Sequence, residues 1–498
     1  MASYLNTPRL MIQGTGSDVG KSILVAGLCR AFLRRGFRVK PFKPQNMSNN
    51  AAVTADGGEI GRAQWLQAMA CGVAPDVHMN PVLIKPQSDS GAQIIVQGKM
   101  RGNWHARRFL EKKENLLRTV IESFDRTSTD ADLVIVEGAG SPAEVNLRAG
   151  DIANMGFAVP TKTPVVLAGD INRGGVIAAL VGTYEVLPAV ERDLIRGTII
   201  NKFRGDISLF DGGRQIICDH TGWQDFGVVP FLSCVADLPA EDAVVLEEKS
   251  QGSAKKIKII VPMLSRIANF DDLDPLRAQH DVEVIFHPPG TPLPATADAV
   301  ILPGTKATLA DLRFLKNQGW DIDIKALARR GTLILGLCGG YQMLGNSVSD
   351  PDAIEGVAGE EAGLGLLDME TILTPEKEVR NITINLVGEG IVSEKLSVTG
   401  YEIHAGRTSL LAGTNAFMTV DDQVIGAKKG RVMGSYLHGL FEDGVFLKYF
   451  LNQLSDQQRT IIPHQEKVNA ALDQLAEALE ECLDMDGLLA VSQSAVGK

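Results

Sequence analysis

A chain of 498 residues is too long for one ordinary hydrophobic core, so at least two folded units are expected. Hydrophobic residues make up 45% of it, with 51 glycines and few aromatics, a composition suited to Gly-turned α/β layers and without low-complexity tracts that would signal disorder. The net charge of −11 forms no basic stripe, which argues against nucleic acid as a partner, and six scattered cysteines without Cys-x-x-Cys spacing argue against a zinc site or a disulfide framework.

The N-terminus, MASYLNTPRLMIQG, lacks a basic segment followed by a long apolar one, and no later stretch approaches the ~18 apolar residues of a membrane span. A soluble cytoplasmic protein without a membrane partner is therefore expected. Short β-like runs then alternate with amphipathic stretches: LMIQ (10–13), RVKPF (38–42), LVIV (133–136), VVLA (165–168), TII (198–200) and GVV (227–229), with helical text such as ILVAGLCRAFLRR between them. Strands alternating with helices predict a mostly parallel, doubly wound sheet over residues 1–232.

LMIQ leads into Gly14-Thr15-Gly16-Ser17-Asp18-Val19-Gly20-Lys21-Ser22 and then directly into a helical pattern. Strand, Gly-rich loop, Lys-Ser and helix form a phosphate cradle: glycines let backbone N–H groups face phosphate oxygens, Lys21 supplies positive charge, and Ser22 can reach Mg²⁺. Glu137 ends the apolar run LVIV, at the strand tip where open α/β sheets bind ligands, and is the leading acidic metal ligand, directly or through water. The KPQNMSNN segment (43–50) is polar without a hydrophobic period and is assigned no mechanistic role.

The stretch from about Leu232 to Lys256 is acidic and Ser/Gly-rich and predicts a linker over 233–255. A second α/β series follows over 256–446, with KIKIIV (256–261), VEVIF (282–286), AVIL (299–302) and TLILGL (332–337). In TLILGLCGGYQMLG the thiol of Cys338 stands at a strand-to-helix elbow framed by Gly336, Gly339 and Gly340, at the start of a helix, where nucleophilic thiols are favoured. His438, in RVMGSYLHGLF, follows another β-like run and is the candidate base that takes the thiol proton and returns it to a leaving group. The turn Pro303-Gly304-Thr305 and Gly339 are candidate sources of the N–H groups of an oxyanion hole. From about residue 447 the chain becomes helical, with Leu472, Leu475, Leu479, Cys482 and Leu483 on one face, a packing appendage.

These motifs carry family resemblances. The GT-x-S-D-x-GKS loop has one residue more than the common P-loop and resembles that of dethiobiotin synthetase and related carboxylate-activating ATPases. That resemblance implies ATP and Mg²⁺ as co-substrate and metal, with no permanently bound cofactor. It also implies that Asp56, in TADGGEIG, joins the metal and that Asn201 reads adenine; a solvated loop Asp and a turn-forming Asn are the plain alternatives. The PGT turn, GLCGG elbow and SYLHG histidine resemble the class I glutamine amidotransferases, which release ammonia from L-glutamine at a cysteine. Most of that family carry His-x-Glu, whereas this chain has His438-Gly439-Leu440, leaving the third member of the site open, with Glu442 a candidate by proximity.

Nearly the whole length, through GTGSDVGKS, KPQNMSNN, EVNLRAGDIANMGFA (144–158), AGDINRGGV, NKFRGD and GYEIHAGRT, resembles the cobyric acid synthase family. The resemblance implies a corrinoid substrate whose b, d, e and g carboxylates are amidated at the expense of ATP and glutamine. His404, in the last block, is expected near the site without an assigned role. The rival readings are a cobyrinic acid a,c-diamide synthase, a partitioning-type ATPase with a degenerate amidotransferase module, and a Cys-dependent hydrolase.

Overall fold

The computed structural model describes residues 3–86, 91–239, 257–387, 396–421, 423–455 and 459–497. Most of the expected linker, residues 240–255, lies outside the described residues; its first part, Ser233–Asp237, is a 3₁₀ turn that buries Cys234.

The first α/β unit is a six-stranded sheet in the order Gln224–Pro230, Ile195–Phe203, Val165–Asp170, Arg9–Gly14, Leu133–Glu137, Val39–Phe42, parallel throughout. Successive residues of one strand enter different cores: Leu10 and Ile12 pack with Leu24, Leu28 and Phe32 of the helix Lys21–Arg34, while Met11 packs with Phe42, Phe124 and Phe157. Both faces are thus covered, which is why these strands read as unbroken apolar runs. The first strand lies between the third and fourth in chain order, so its C-terminal end opens at the topological switch where α/β sheets hold ligands.

KPQNMSNN is no solvated turn. Gln45–Met47 joins a four-stranded sheet with Val82–Pro86, Gly91–Val96 and Lys99–His105; Ala51–Val53 pairs with Glu59–Gly61; and Asn46, Ser48 and Asn50 are buried. Asn46 donates to Gln64 Oε1 (3.0 Å) and Ser48 Oγ accepts from Asn50 N (3.1 Å) within the unit, while across a seam with the second unit Asn269 N donates to Asn50 Oδ1 (2.8 Å) and Tyr401 Oη to Ala51 O (3.2 Å).

The second unit begins as the parallel series Val282–His287, Ile257–Pro262, Ala299–Leu302, Leu333–Leu337, Val432–Ser435. It continues as antiparallel structure that includes the long hairpin Met369–Leu386 and Ser397–Leu410, which the sequence reading did not anticipate. The C-terminal helices His464–Cys482 and Met485–Gln493 return to the first unit, where Leu472, Leu475, Leu479 and Leu488 share a core with Leu24 and Leu28. A Cβ on Gly27 would lie 2.5 Å from Leu479 Cδ1 and 2.9 Å from Leu475 Cγ, so a side chain there would force these leucines to shift. Arg34 and Arg35 reach Glu477 and Glu480 along the same contact.

Among the described residues no helix is long and apolar enough to cross a membrane. All six cysteines are free.

Candidate active sites

The Gly14–Ser22 loop leaves the first strand and enters the helix through Gly20, whose φ of 92° only glycine adopts freely. Thr15 N donates to Ala168 O (3.0 Å), pinning the loop to the next strand. Lys21 folds back to donate to Gly16 O (2.8 Å) and Gly140 O (3.1 Å), across the space that backbone N–H groups and a phosphate would share. Ser17 and Asp18 stand exposed at the rim, Asp18 paired with Arg173, while Val19 is buried.

Glu137 is fully buried at its strand tip, and Ser22 Oγ donates to its Oε1 (2.6 Å). Lys43 Nζ donates to the same oxygen (2.8 Å) and Gln67 Nε2 to the other (2.5 Å). A buried carboxylate requires such partners. Ser22 and Glu137 together offer two hard oxygen donors beside the phosphate loop, a set that fits Mg²⁺. Lys43 and Gln67 were missed by the sequence reading; the available signal was that Lys43 is the first residue beyond the strand Val39–Phe42, on the same sheet edge as Glu137.

Asp56 is not brought to this pair. It is exposed, at the tip joining the strands Ala51–Val53 and Glu59–Gly61, and accepts a hydrogen bond from Thr54. Asn201 braces the loop from below, its Nδ2 donating to Val19 O (2.8 Å) and its Oδ1 accepting from Lys202 N (2.9 Å).

At the other site, Cys338 takes φ 50° and ψ −110°, a strained non-glycine conformation that aims the thiol out of the sheet between Leu333–Leu337 and the helix Gly339–Met343. Its amide donates to Ser435 O (2.8 Å) on the neighbouring parallel strand, and its Sγ lies 3.6 Å from Ile403 O. Because Leu337 pairs with Ser435, the chain three residues beyond Ser435 delivers His438 to the thiol, although 100 residues separate them in sequence. Gly304 and Gly339 converge there too: a Cβ on Gly339 would sit 2.5 Å from Thr305 Cγ2 and 3.3 Å from Thr305 N, and one on Gly304 would sit 3.5 Å from His438 Cε1.

The open third position has an occupant. Asp272 Oδ2 lies 2.6 Å from His438 Nδ1, and Asp272 Oδ1 accepts from Gly439 N (2.8 Å). Burial would push the His438 imidazole down, but the Asp272 carboxylate, aided by the Cys338 thiol, overrides it and raises it to about 10. Glu442 points elsewhere, accepting from Arg62 Nη2 (2.9 Å). Nothing local marked Asp272 in the sequence, since FDDLD looks like any acidic turn.

Cys338 opens into a cleft lined by Gln342, Glu355 and His404 of the second unit and by Gln93 and Met100 of the first. His404 stacks on Tyr436 (3.7 Å between centroids), and its Nε2 lies 3.3 Å from Glu402 Oε1. Glu355, which accepts from Thr308 N (2.7 Å), and Lys306 and Lys377 also line the cleft, Lys377 paired with the buried Glu59.

Residues 10–245 match the family described as "CobQ/CobB/MinD/ParA nucleotide binding domain" and residues 258–446 that described as "CobB/CobQ-like glutamine amidotransferase domain". A protein of Brucella anthropi named cobyric acid synthase is 56% identical over 481 residues, covering 96% of this chain and 98% of its own. Cobyric acid synthases of Brucella suis and Brucella abortus are each 57% identical over 486 residues, 97% of this chain and 99% of theirs.

Proposed function

The chain belongs to the cobyric acid synthase family, glutamine-dependent amidotransferase ligases of cobalamin biosynthesis, and from that premise we propose that it amidates the b, d, e and g carboxylates of adenosylcobyrinic acid a,c-diamide. One ATP and one L-glutamine are consumed for each amide. The observation that carries the reading is the joining in one chain of a P-loop whose Ser22 meets a buried Glu137 and a Cys338 elbow whose histidine partner is held by Asp272.

In the glutamine half-reaction Cys338 Sγ attacks the side-chain carboxamide carbon, and the resulting oxyanion is held at Gly304 and Gly339. His438 gives a proton to the departing nitrogen, the C–N bond breaks and ammonia leaves. His438 then takes a proton from water, which attacks the thioester, releases glutamate and restores the thiol. Glu355, which lines the cleft with Gln342, is the carboxylate that would pair with the α-ammonium group of glutamine.

In the other half-reaction a substrate carboxylate oxygen attacks the γ-phosphorus of ATP, giving an acyl phosphate and ADP; ammonia then attacks the acyl carbon and phosphate leaves. A carboxylate is a poor electrophile, and this activation is what ATP contributes. Lys21, Ser17 and the loop amides hold the phosphates in place, and Lys43 adds positive charge beside Glu137. Ser22 and Glu137 would hold Mg²⁺, which would neutralise phosphate charge.

Mass spectrometry of adenosylcobyrinic acid a,c-diamide incubated with the protein, Mg-ATP and glutamine tests the reading. Stepwise exchange of four OH groups for NH₂ is expected. An unchanged substrate, with folded protein that binds ATP, would overturn this choice of substrate.

A further inference from the structure

The glutamine site is built against a residue of the other unit. Arg62, the first residue of the helix Arg62–Ala70 in the nucleotide-binding unit, is buried and places its Nε 2.8 Å from Asp271 Oδ2 and its Nη2 2.9 Å from Glu442 Oε1. Asp271 immediately precedes Asp272, and the two lie in one 3₁₀ turn, Phe270–Leu273. Arg62 is held in this position: its guanidinium lies 4.3 Å over the Trp65 ring, its amide donates to Asn50 O, and about one and a half helical turns further Gln67 donates to Glu137.

We propose that Arg62 is a positioning residue for glutamine hydrolysis, supplied by the nucleotide-binding unit, which holds the Asp271–Asp272 turn so that Asp272 can orient His438. This rests on the proposed function of the Cys338 site. The argument is one of charge. Asp271, Asp274 and Glu442 converge on Asp272, with Asp271 and Asp272 buried and the other two partly so; burial, and after it the neighbouring negative charges, pushes the carboxyl groups of Asp271, Asp274 and Glu442 up. Arg62 and His438 are the cations that face Asp271, while the half-exposed Arg277 pairs with Asp274 (3.2 Å) and not with the Asp271–Asp272 pair. The remaining neighbours give no help: Tyr401 is a buried phenol, and His464 is pushed down to about 4 by burial, Arg62 and Lys467. Without Arg62 the turn would relieve its repulsion by taking up a proton at higher pH, and Asp272 would cease to face His438 as a fixed anion. The arrangement makes the second unit's histidine depend on contact with the first.

The test is alkylation of Cys338 by iodoacetamide in the full-length protein, followed by peptide mass mapping across a range of pH, with and without L-glutamine. In the unsubstituted protein Cys338 reacts and glutamine protects it. In Arg62→Gln the acid limb of the rate profile moves up by about one to three pH units, the span by which a close cation displaces a carboxyl group, with reactivity near pH 6 down by about tenfold or more. Arg62→Lys, which keeps the charge, brings the limb most of the way back. An unchanged profile in Arg62→Gln, or a loss uniform in pH that Arg62→Lys does not repair, would overturn the proposal and leave Arg62 as interface packing. Failure of glutamine to protect Cys338 in the unsubstituted protein would overturn the hydrolytic reading and this proposal with it, and is told apart because it needs no variant.

Discussion

His438 is held as a cation against its own burial, and Asp272, 2.6 Å from its Nδ1, is the cause. Because the folded-state value is raised above the ordinary 6.5, the pair contributes stability fully below that pH and loses it as pH rises through about 10. In Asp272→Asn burial outweighs what the Cys338 thiol still contributes, His438 becomes neutral near pH 7 and its ring is no longer oriented. Glutamine hydrolysis should then fall by about 10²–10⁴-fold while amidation from added ammonium persists; steady-state assays with the two nitrogen sources measure both. Hydrolysis at the unsubstituted rate would remove Asp272 from the site. Glu355→Gln should act differently, raising the glutamine KM by about tenfold or more through loss of a charged contact with kcat little changed; an unaltered KM would count against Glu355 as the ammonium partner. Cys338 and His438 were legible because glycine-framed elbows and short β runs leave local marks. Asp272 was not, because its only distinction is to lie beside a histidine 166 residues away. Glu442 looked closer in sequence, yet its carboxylate is turned to Arg62.

At the scale of elements, the two series of apolar runs were legible because parallel strands buried on both faces carry little besides Val, Ile, Leu and Ala. The hairpin Met369–Leu386 and Ser397–Leu410 was not, since its strands are half exposed and mix charge with apolar residues in METILTPEKEVRNITINL. The Cys338 elbow gives a prediction of its own. A backbone at φ 50°, ψ −110° suits glycine far better than any side chain. Cys338→Gly should therefore be more stable than Cys338→Ala by about 1–2 kcal/mol, seen as a higher thermal midpoint, although neither variant uses glutamine; equal midpoints would mean the elbow stores no strain. The helix contact at Gly27 points the other way. Gly27→Val places methyl groups into Leu475 and Leu479 and should cost about 1–3 kcal/mol, with the C-terminal helices becoming accessible to protease first. A stability gain from improved helix propensity would show that the contact is looser than the geometry indicates.

For the whole molecule, the proposed function poses the question of how ammonia released at Cys338 would reach an acyl phosphate beside Lys21. In water near pH 7 ammonia is mostly protonated and unreactive, so release into solvent would waste it. The seam between the units answers with a closed contact. Tyr401 stacks on His438 (5.4 Å between centroids) and donates to Ala51 O, and Ala51, Val53, Leu83 and Ile95 of the first unit share a small core with Tyr401 and Ile403 of the second. This surface was illegible in KPQNMSNN, because an asparagine that pairs across units, as Asn50 does, leaves the same trace in sequence as an asparagine in a turn. If the seam encloses the transfer, glutamine labelled with ¹⁵N in its amide, supplied with an excess of unlabelled ammonium, should yield product amides carrying ¹⁵N with little dilution. Asn50→Ala removes the acceptor for Asn269 N and opens the seam beside His438, so the label should be diluted and glutamate should form in excess over amide. Full mixing with the ammonium pool in the unsubstituted protein would show instead that ammonia leaves the molecule between the two sites, and that the buried contact serves only to hold His438 and Arg62 in place.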